Sequence, residues 1–316
     1  MPDIKIIVSH RIDHDSATPE PPVYLPIRSG AIFDTRSDIL MQGDDTLDNI
    51  SEKNRYFSEF TAQYWAWKNL DADYLGLCHY RRYFSFADKK RRTPKHDRMI
   101  HEALLDKKAA NKYDIDNTDK IIRAVSSFDA IVPPTIEIRH LPTKSGIKSS
   151  CAEMWNAYTG YTANGKTFTD IILELIQKLH PKYLETAKNY LSGAKHRSFN
   201  CYILKKHLFN EMCDFEFDIM FAFEQKTIAE CGAIPQRFIG YIGELLNGIY
   251  IEYAITEIGI KYKELQLVFF HNTNKHIKSP LFIRLKFRIK RIAEAIIALF
   301  FPRGSKRREK LKKILK

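Results

Sequence analysis

A chain of 316 residues with 44% apolar side chains is long enough for one large domain with a sizeable core, with or without an appendage. Its five cysteines, Cys78, Cys151, Cys201, Cys213 and Cys231, include no CxxC pair, which argues against a zinc ribbon or a disulfide framework and for a reducing cytoplasm. The net charge of +12 lies wholly in residues 278–316, which hold 14 Lys/Arg and two acidic residues, while the rest of the chain carries 36 of each sign; a neutral body of this kind is not shaped around nucleic acid.

The first residues, MPDIKIIVSHRID, carry an early acid and too short an apolar run for a secretory signal. Residues 4–9 read as a buried strand that ends at His10. A Pro-rich loop is expected over Pro19–Pro26 and a polar loop over 31–50. A helix is expected to open at Asn49–Asn54 with Ser51 as its N-cap, and to carry Phe57, Phe60, Tyr64 and Trp67 on one face. Asp71-Ala72-Asp73 ends it. Tyr74–Cys78 reads as a buried strand running straight into His79-Tyr80-Arg81-Arg82-Tyr83-Phe84.

A charged surface loop is expected at 88–98, a strand at Phe128–Val132 stopped by Pro133-Pro134, and a loop-rich stretch at 139–165. Helical periodicity returns at 168–191. A strand at Asn200–Leu204, helices at 207–230 and 236–253, and a last strand at Leu265–Phe270 complete the body. The alternation of strands and helices predicts an α/β sandwich.

Charged side chains directly after a strand lie at the carboxyl edge of a sheet, where open α/β sheets bind ligands. His79, Arg81 and Arg82 stand at such a position, and arginine is the preferred bidentate partner of phosphate. The plainer reading pairs Arg81 and Arg82 with Asp71 or Asp73. His10 at a strand end is a second contact candidate. Lys53 and Asn54 sit where a helix N-terminus favours an anion. Trp65 and Trp67 fit core positions, with Trp67 also a candidate acceptor contact.

Several strings extend the pattern: Ile7-Val8-Ser9-His10, Tyr24-Leu25-Pro26-Ile27, Gly43-Asp44 followed by Asp48-Asn49-Ile50-Ser51 and Lys53-Asn54, Tyr64–Asn69, His79–Phe84, Asp129–Pro133, Pro235-Gln236-Arg237 and Gly240–Glu244. With these, residues 4–270 resemble the bacterial capsular and exopolysaccharide glycosyltransferases that carry an HYRRYF signature. The resemblance implies a GT-A-like nucleotide-sugar-binding sandwich and hexosyl transfer from a UDP-sugar, UDP-galactofuranose being one theme of that family. The resemblance also implies glycine near Leu47 and a second histidine beside His196, where this chain has Lys195 and Arg197. The donor contacts expected to converge at the carboxyl edge of the sheet are His10, Asp48, Asn49, Lys53, Asn54, Lys68, His79, Arg81 and Arg82, and the acceptor-side candidates are Trp67, His196 and Asn200.

GT-A transferases commonly place a helix before a short strand ending in Asp-x-Asp, whose acids hold a divalent metal. Here that pattern ends in His79-Tyr80-Arg81, so Arg81 or Arg82 is read as supplying the positive charge. Mn²⁺ or Mg²⁺ held by His79 and a distant carboxylate is the alternative. Inverting transfer needs a carboxylate base. Glu244 is the first candidate, with Arg237 two turns away on the same helical face; Asp218 and Glu224 are further ones.

The chain therefore divides into a catalytic domain, 1–277, and a tail, 278–316. In the tail Leu285, Ile289, Ile292, Ile296 and Leu299 form a stripe among Arg284, Lys286, Arg288, Lys290 and Arg291, and Lys306–Lys316 adds a second basic segment. This is the pattern of an interfacial membrane helix. The expected partners are a UDP-sugar, a lipid-linked oligosaccharide and an anionic membrane surface, not nucleic acid. The expected place is the cytoplasmic face of the cell membrane. The rival readings are a nucleic-acid-binding tail, a non-catalytic scaffold in a polysaccharide assembly complex, and a tail helix docked on the body.

Overall fold

The computed structural model describes residues 1–300 and 307, apart from 21, 37, 38, 142 and 144 and the side chains of 231, 295, 298 and 299. Leu299 of the expected stripe and, Arg307 aside, the basic segment Lys306–Lys316 lie outside the described parts.

The strands are β1 Ile4–Arg11, β2 Tyr24–Ser29, β3 Tyr74–His79, β4 Arg82–Phe84, β5 Ile100–Leu104, β6 Ala130–Val132, β7 Ile136–Glu137, β8 Thr162–Ala163, β9 Lys166–Thr167, β10 Lys195–His196, β11 Tyr202–Lys205, β12 Tyr262–Glu264 and β13 Leu267–Asn272. The helices are α1 Asn54–Phe57, α2 Phe60–Asn69, α3 Lys107–Lys112, α4 Thr118–Ser126, α5 Cys151–Thr159, α6 Phe168–Leu179, α7 Leu184–Ser192, α8 Lys206–Cys231, α9 Phe238–Tyr253 and α10 Pro280–Phe300.

Nine of the strands form one sheet. β1 lies between β2 and β3 and is parallel to both. β3 runs antiparallel to β11, which runs antiparallel to β6, and β12 adds in parallel to β6. The turn Tyr80-Arg81 returns the chain from His79 into β4, which carries β13 and then β5. As a result β1, β2, β3, β6, β12, β13 and β5 all end on one edge, and β11 begins there. The loops of that edge are gathered from widely separated parts of the chain.

The period-2 alternation of the strands divides the core between the two faces of the sheet. Ile7, Leu75, Leu77, Ala130, Val132, Tyr202 and Leu204 pack with the helical layer of α2, α6, α8 and α9. Ile4, Ile6, Val8, Tyr74, Ile131 and Ile203 pack on the opposite face with residues of α3, α4, β5 and β13. The α/β sandwich expected from the sequence is therefore present, with an amphipathic helix, α10, at its C-terminal end. Cys78, Cys151, Cys201 and Cys213 are buried and free.

Several local expectations are corrected. Part of the Pro19–Pro26 loop is strand β2. Pro26 stands opposite Val8 in a strand whose partner strand among the described residues is β1, its other side meeting only the bridge from Arg28 to Gly43, so its missing N–H costs no ladder bond. The single helix expected from residue 49 is a 3₁₀ turn at Ser51–Lys53, then α1, a reversal at Ser58 with φ 54°, and α2. Ser51 is not an N-cap: its hydroxyl donates to Asp44 Oδ1 at 2.6 Å. Asp44, fully buried, also accepts the N–H groups of Gly30 and Ala31 at 2.9 Å each. The Gly43-Asp44 and Ser51 strings thus lock the end of β2 against the start of α1.

Within the loop-rich stretch 139–165 lies α5, which Ser150 caps and Gly160 ends in a left-handed conformation. Pro181 splits the expected helix 168–191 into α6 and α7.

An ionisable group is sealed inside the helical layer. Glu216 on α8 is fully buried, and its Oε2 accepts from Gln63 Nε2 of α2 at 2.5 Å. Burial pushes its carboxyl up to about 8, so it is mainly protonated at neutral pH.

Candidate functional site

The carboxyl edge carries His10, His79, Arg81 and Arg82, the donor contacts expected from the sequence, of which only the two arginines are charged at neutral pH. β1 delivers His10, which is buried; its Nε2 lies 2.9 Å from Thr18 Oγ1 and its Nδ1 has no partner. Burial, reinforced by the charge of Lys275, brings its pKa down to about 4, so the ring is neutral at pH 7. β3 delivers His79, whose ring lies 4.4 Å from that of Tyr80. Burial and the neighbouring Arg82 and Arg81 push His79 well below the ordinary histidine range, and its Nδ1 is likewise without a partner.

Arg81 and Arg82 follow in the turn and the first residue of β4. Arg81 lies over Tyr80 at 5.1 Å and Phe269 at 5.4 Å; Arg82 lies over Phe199 at 5.2 Å and Phe269 at 5.4 Å. The Nε of each is buried without a hydrogen-bond partner. The plainer reading, pairing with Asp71 or Asp73, is overturned. Asp71 pairs with Lys206, and Asp73 accepts from the Asp3 N–H, both at the opposite edge of the sheet. Among the described residues neither guanidinium has a carboxylate partner.

Beside this turn opens a cleft of about 460 Å³, lined by Arg11, Asp13, His14, Tyr80, Arg81, His271 and Asn274 among others. Arg11 and Asp13 form an exposed pair, Nε donating to Oδ1 at 2.7 Å. The lining holds the Arg81 guanidinium, the Arg11–Asp13 pair and the Tyr80 ring; a guanidinium is the preferred partner of a phosphate.

Glu244 on α9 reaches the same edge from the helical layer. Its Oε1 accepts the Phe199 N–H at 3.0 Å and lies 4.0 Å from His196 Nε2, and a quarter of its side chain stays exposed. Burial and the nearby Glu59 raise its pKa, against the opposing pull of the Phe199 N–H, Arg82 and Arg237. His196 is held neutral by burial, at about 3, and its Nδ1 lies 2.8 Å from the Tyr190 hydroxyl. Phe199 and Asn200 both have positive φ, 85° and 44°, a strained pair of conformations at the start of β11. Asn200 Nδ2 donates to Glu59 Oε1 at 2.9 Å, and its Oδ1 is buried without a partner. Glu59, Asn200, Phe199 and Glu244 thus form one chain of contacts, with Arg82 over the Phe199 ring.

Arg237 is brought to this group, but not as a helical residue two turns from Glu244. It caps α9 at φ 63°, and its N–H donates to Arg55 O at 2.9 Å. Its charge favours the ionised form of Glu244 and the neutral form of His79.

Other sequence candidates have partners elsewhere. Lys53 Nζ is 2.9 Å from Glu224 Oε2. Asp218 pairs with His180 at 2.9 Å on α8. Trp67 stacks on Phe217, centroids 5.5 Å apart and planes within 5°, and Lys68 lies over its other face at 3.2 Å. Asp48 accepts from Tyr64 and Asn69, and Asn49 closes a turn to Ser51. Asn54 donates to Ser58 O at 2.8 Å and Thr61 Oγ1 at 3.0 Å, bracing the reversal that delivers Glu59. Among the described residues no three His, Cys, Asp or Glu side chains gather as a metal-ligating group.

The sequence reading missed Glu59, Arg11, His14 and His271, and the ring pair Tyr158–Tyr241, 5.1 Å apart, whose charge environment includes Glu244 and Arg237. Nothing local marks Glu59, an acid flanked by Ser58 and Phe60. Arg11 and His14 lay in plain view after the first strand.

Leu47 has a φ of 53°, a backbone suited to glycine, and its side chain is exposed. Leu47→Gly is expected to stabilise the protein by about 0.5–1 kcal/mol, strain relief exceeding the added chain entropy. Urea denaturation checks this; a destabilised variant would show that the position is unstrained.

A search of the curated proteins finds no match. The chain is similar to the apo structure of the bifunctional glycosyltransferase WbbM, at 25% identity and a TM-score of 0.74, over 88% of this chain and 47% of that one. It thus spans about half the length of that protein. A family described as a domain of unknown function, DUF4422, matches residues 5–255, and the chain belongs to that family.

Proposed function

We propose that this chain is an inverting glycosyltransferase that moves a sugar from a UDP-sugar, UDP-galactofuranose being the first to test, to a lipid-linked glycan of capsule, exopolysaccharide or lipopolysaccharide. One observation carries the reading. A carboxylate with a raised pKa, Glu244, shares a sheet edge with two arginines that have no carboxylate partner among the described residues. The likeness to WbbM supports the reaction class.

In this reading the donor diphosphate lies against Arg81 and Arg82, with Arg11 and His14 along the cleft. Glu244 takes the proton of the acceptor hydroxyl. The acceptor oxygen forms its bond to the anomeric carbon as the bond to the phosphate oxygen breaks. The electron pair leaves with the diphosphate, whose added charge the guanidiniums stabilise. That is the role a divalent cation plays in sites built on Asp-x-Asp. Tyr158 and Tyr241 offer apolar faces for the acceptor sugar. Residues 1–277 form the catalytic unit, and 278–316 attach it to the inner face of the cell membrane.

UDP is expected to raise the melting temperature of the full chain, and a UDP-sugar panel with a lipid-linked acceptor to identify the donor. Arg81→Ala should cut turnover at least about tenfold and weaken UDP binding with the fold intact. No thermal shift with UDP would favour the scaffold reading. Wild-type UDP affinity in the variant would remove Arg81 from the site.

A further inference from the structure

No described helix is long and apolar enough to cross a membrane. α10 has two unlike faces. Its inner face is docked: Arg284 donates to Asp106 Oδ2 at 2.6 Å and lies 3.7 Å from Glu102, and the Phe287 ring packs on His271 at 4.8 Å. His271 is braced from the other side by His101, its Nε2 3.0 Å from His101 Nδ1, and it forms part of the cleft wall. The helix and the cleft therefore share a wall.

The outer face carries Leu281, Phe282, Leu285, Ile289, Ile292 and Ile296, from 51% to 84% exposed. Lys286, Arg288 and Lys290 lie exposed between them. Residues 278–316 hold 14 Lys/Arg and two acids, so two copies meeting on this face would oppose two strongly cationic segments. An anionic leaflet matches both properties, taking the apolar row into its interface and gaining about 1 kcal/mol per basic residue.

We infer that α10 is a fixed bracket which lays the cleft-bearing edge of the sheet against an anionic lipid surface. This rests on the membrane attachment proposed above and adds its orientation. The lipid surface and the cleft wall lie on opposite sides of one helix, roughly 10 Å across. A substrate whose headgroup stands at the membrane surface is then presented to the Arg81 edge without a long tether. The same helix on a loose linker would leave the body free to turn away.

The test uses the full chain with Cys231→Ser, labelled at a cysteine introduced either in the cleft lining (Asp13→Cys) or at the opposite edge of the sheet (Asp71→Cys). Vesicles of phosphatidylglycerol and phosphatidylcholine carry an energy-transfer acceptor on their headgroups. Transfer from position 13 is expected to exceed that from position 71 by roughly twofold or more. In Arg284→Ala/Phe287→Ala the difference should vanish while co-sedimentation with the vesicles persists. Leu285→Glu/Ile289→Glu/Ile292→Glu, all on the exposed face, should lower co-sedimentation about tenfold at an unchanged melting temperature. Equal transfer from the two positions in the parent would overturn the bracket and leave the attachment standing. A parent that fails to sediment with vesicles would overturn both. A concentration-dependent dimer abolished by the triple substitution would assign the stripe to a second copy, against the inference.

Discussion

Glu244→Gln is expected to reduce turnover by roughly 100-fold or more while leaving UDP affinity within about twofold. The amide keeps the shape of the side chain and can still accept the Phe199 N–H, but it cannot take a proton from an acceptor hydroxyl. The pH dependence supplies a second readout. Burial and Glu59 hold the Glu244 carboxyl above the ordinary glutamate value, and the base must be ionised to act. Activity should therefore rise with pH through a midpoint above that value, and this limb should be absent from the residual activity of the variant. Glu59→Gln is the necessary companion. Glu59 contacts the site through Asn200, so its loss should shift the acid limb downward and lower turnover less than the Glu244 change does. A Glu244→Gln enzyme with parental turnover and an intact acid limb would remove Glu244 from the mechanism.

Glu216→Gln should change stability rather than chemistry. The folded-state pKa of about 8 lies above the ordinary glutamate value of 4.5. The folded state thus holds a proton that the unfolded state releases. This contribution is fully present below pH 4.5 and is lost as pH rises through about 8. Between pH 5 and pH 8 the parent should lose on the order of 3 kcal/mol from this group alone. The variant, neutral at every pH, should lose much less over the same range. Urea denaturation at several pH values measures both. Parallel pH profiles would show that Glu216 is ionised in the folded protein and that its burial is offset by a partner other than Gln63.

The sequence by itself determined the elements whose information is local. The apolar runs at Ile4–Val8, broken only by Lys5, and at Tyr74–Cys78 read as buried strands, and they are β1 and β3, side by side. Because a strand so short and so buried must stop where charge begins, the position of His79, Arg81 and Arg82 at a sheet edge was legible as well. So was the amphipathic stripe of the tail, since helical periodicity needs no partner to be seen. β2 was hidden by its proline, whose meaning depends on whether the strand is an edge. The same distinction runs through the site. Lys53 and Lys68 are ordinary cations in sequence, but the fold sets one on Glu224, 171 residues away, and the other on the Trp67 ring. Glu59 and Glu244 have no pattern in common, yet Phe199 and Asn200 join them because β11 enters the sheet antiparallel to β3 and begins where β3 ends. Periodicity reports which side of an element faces the core. Which charge meets which other charge is set by strand order and direction, and those are properties of the assembled sheet.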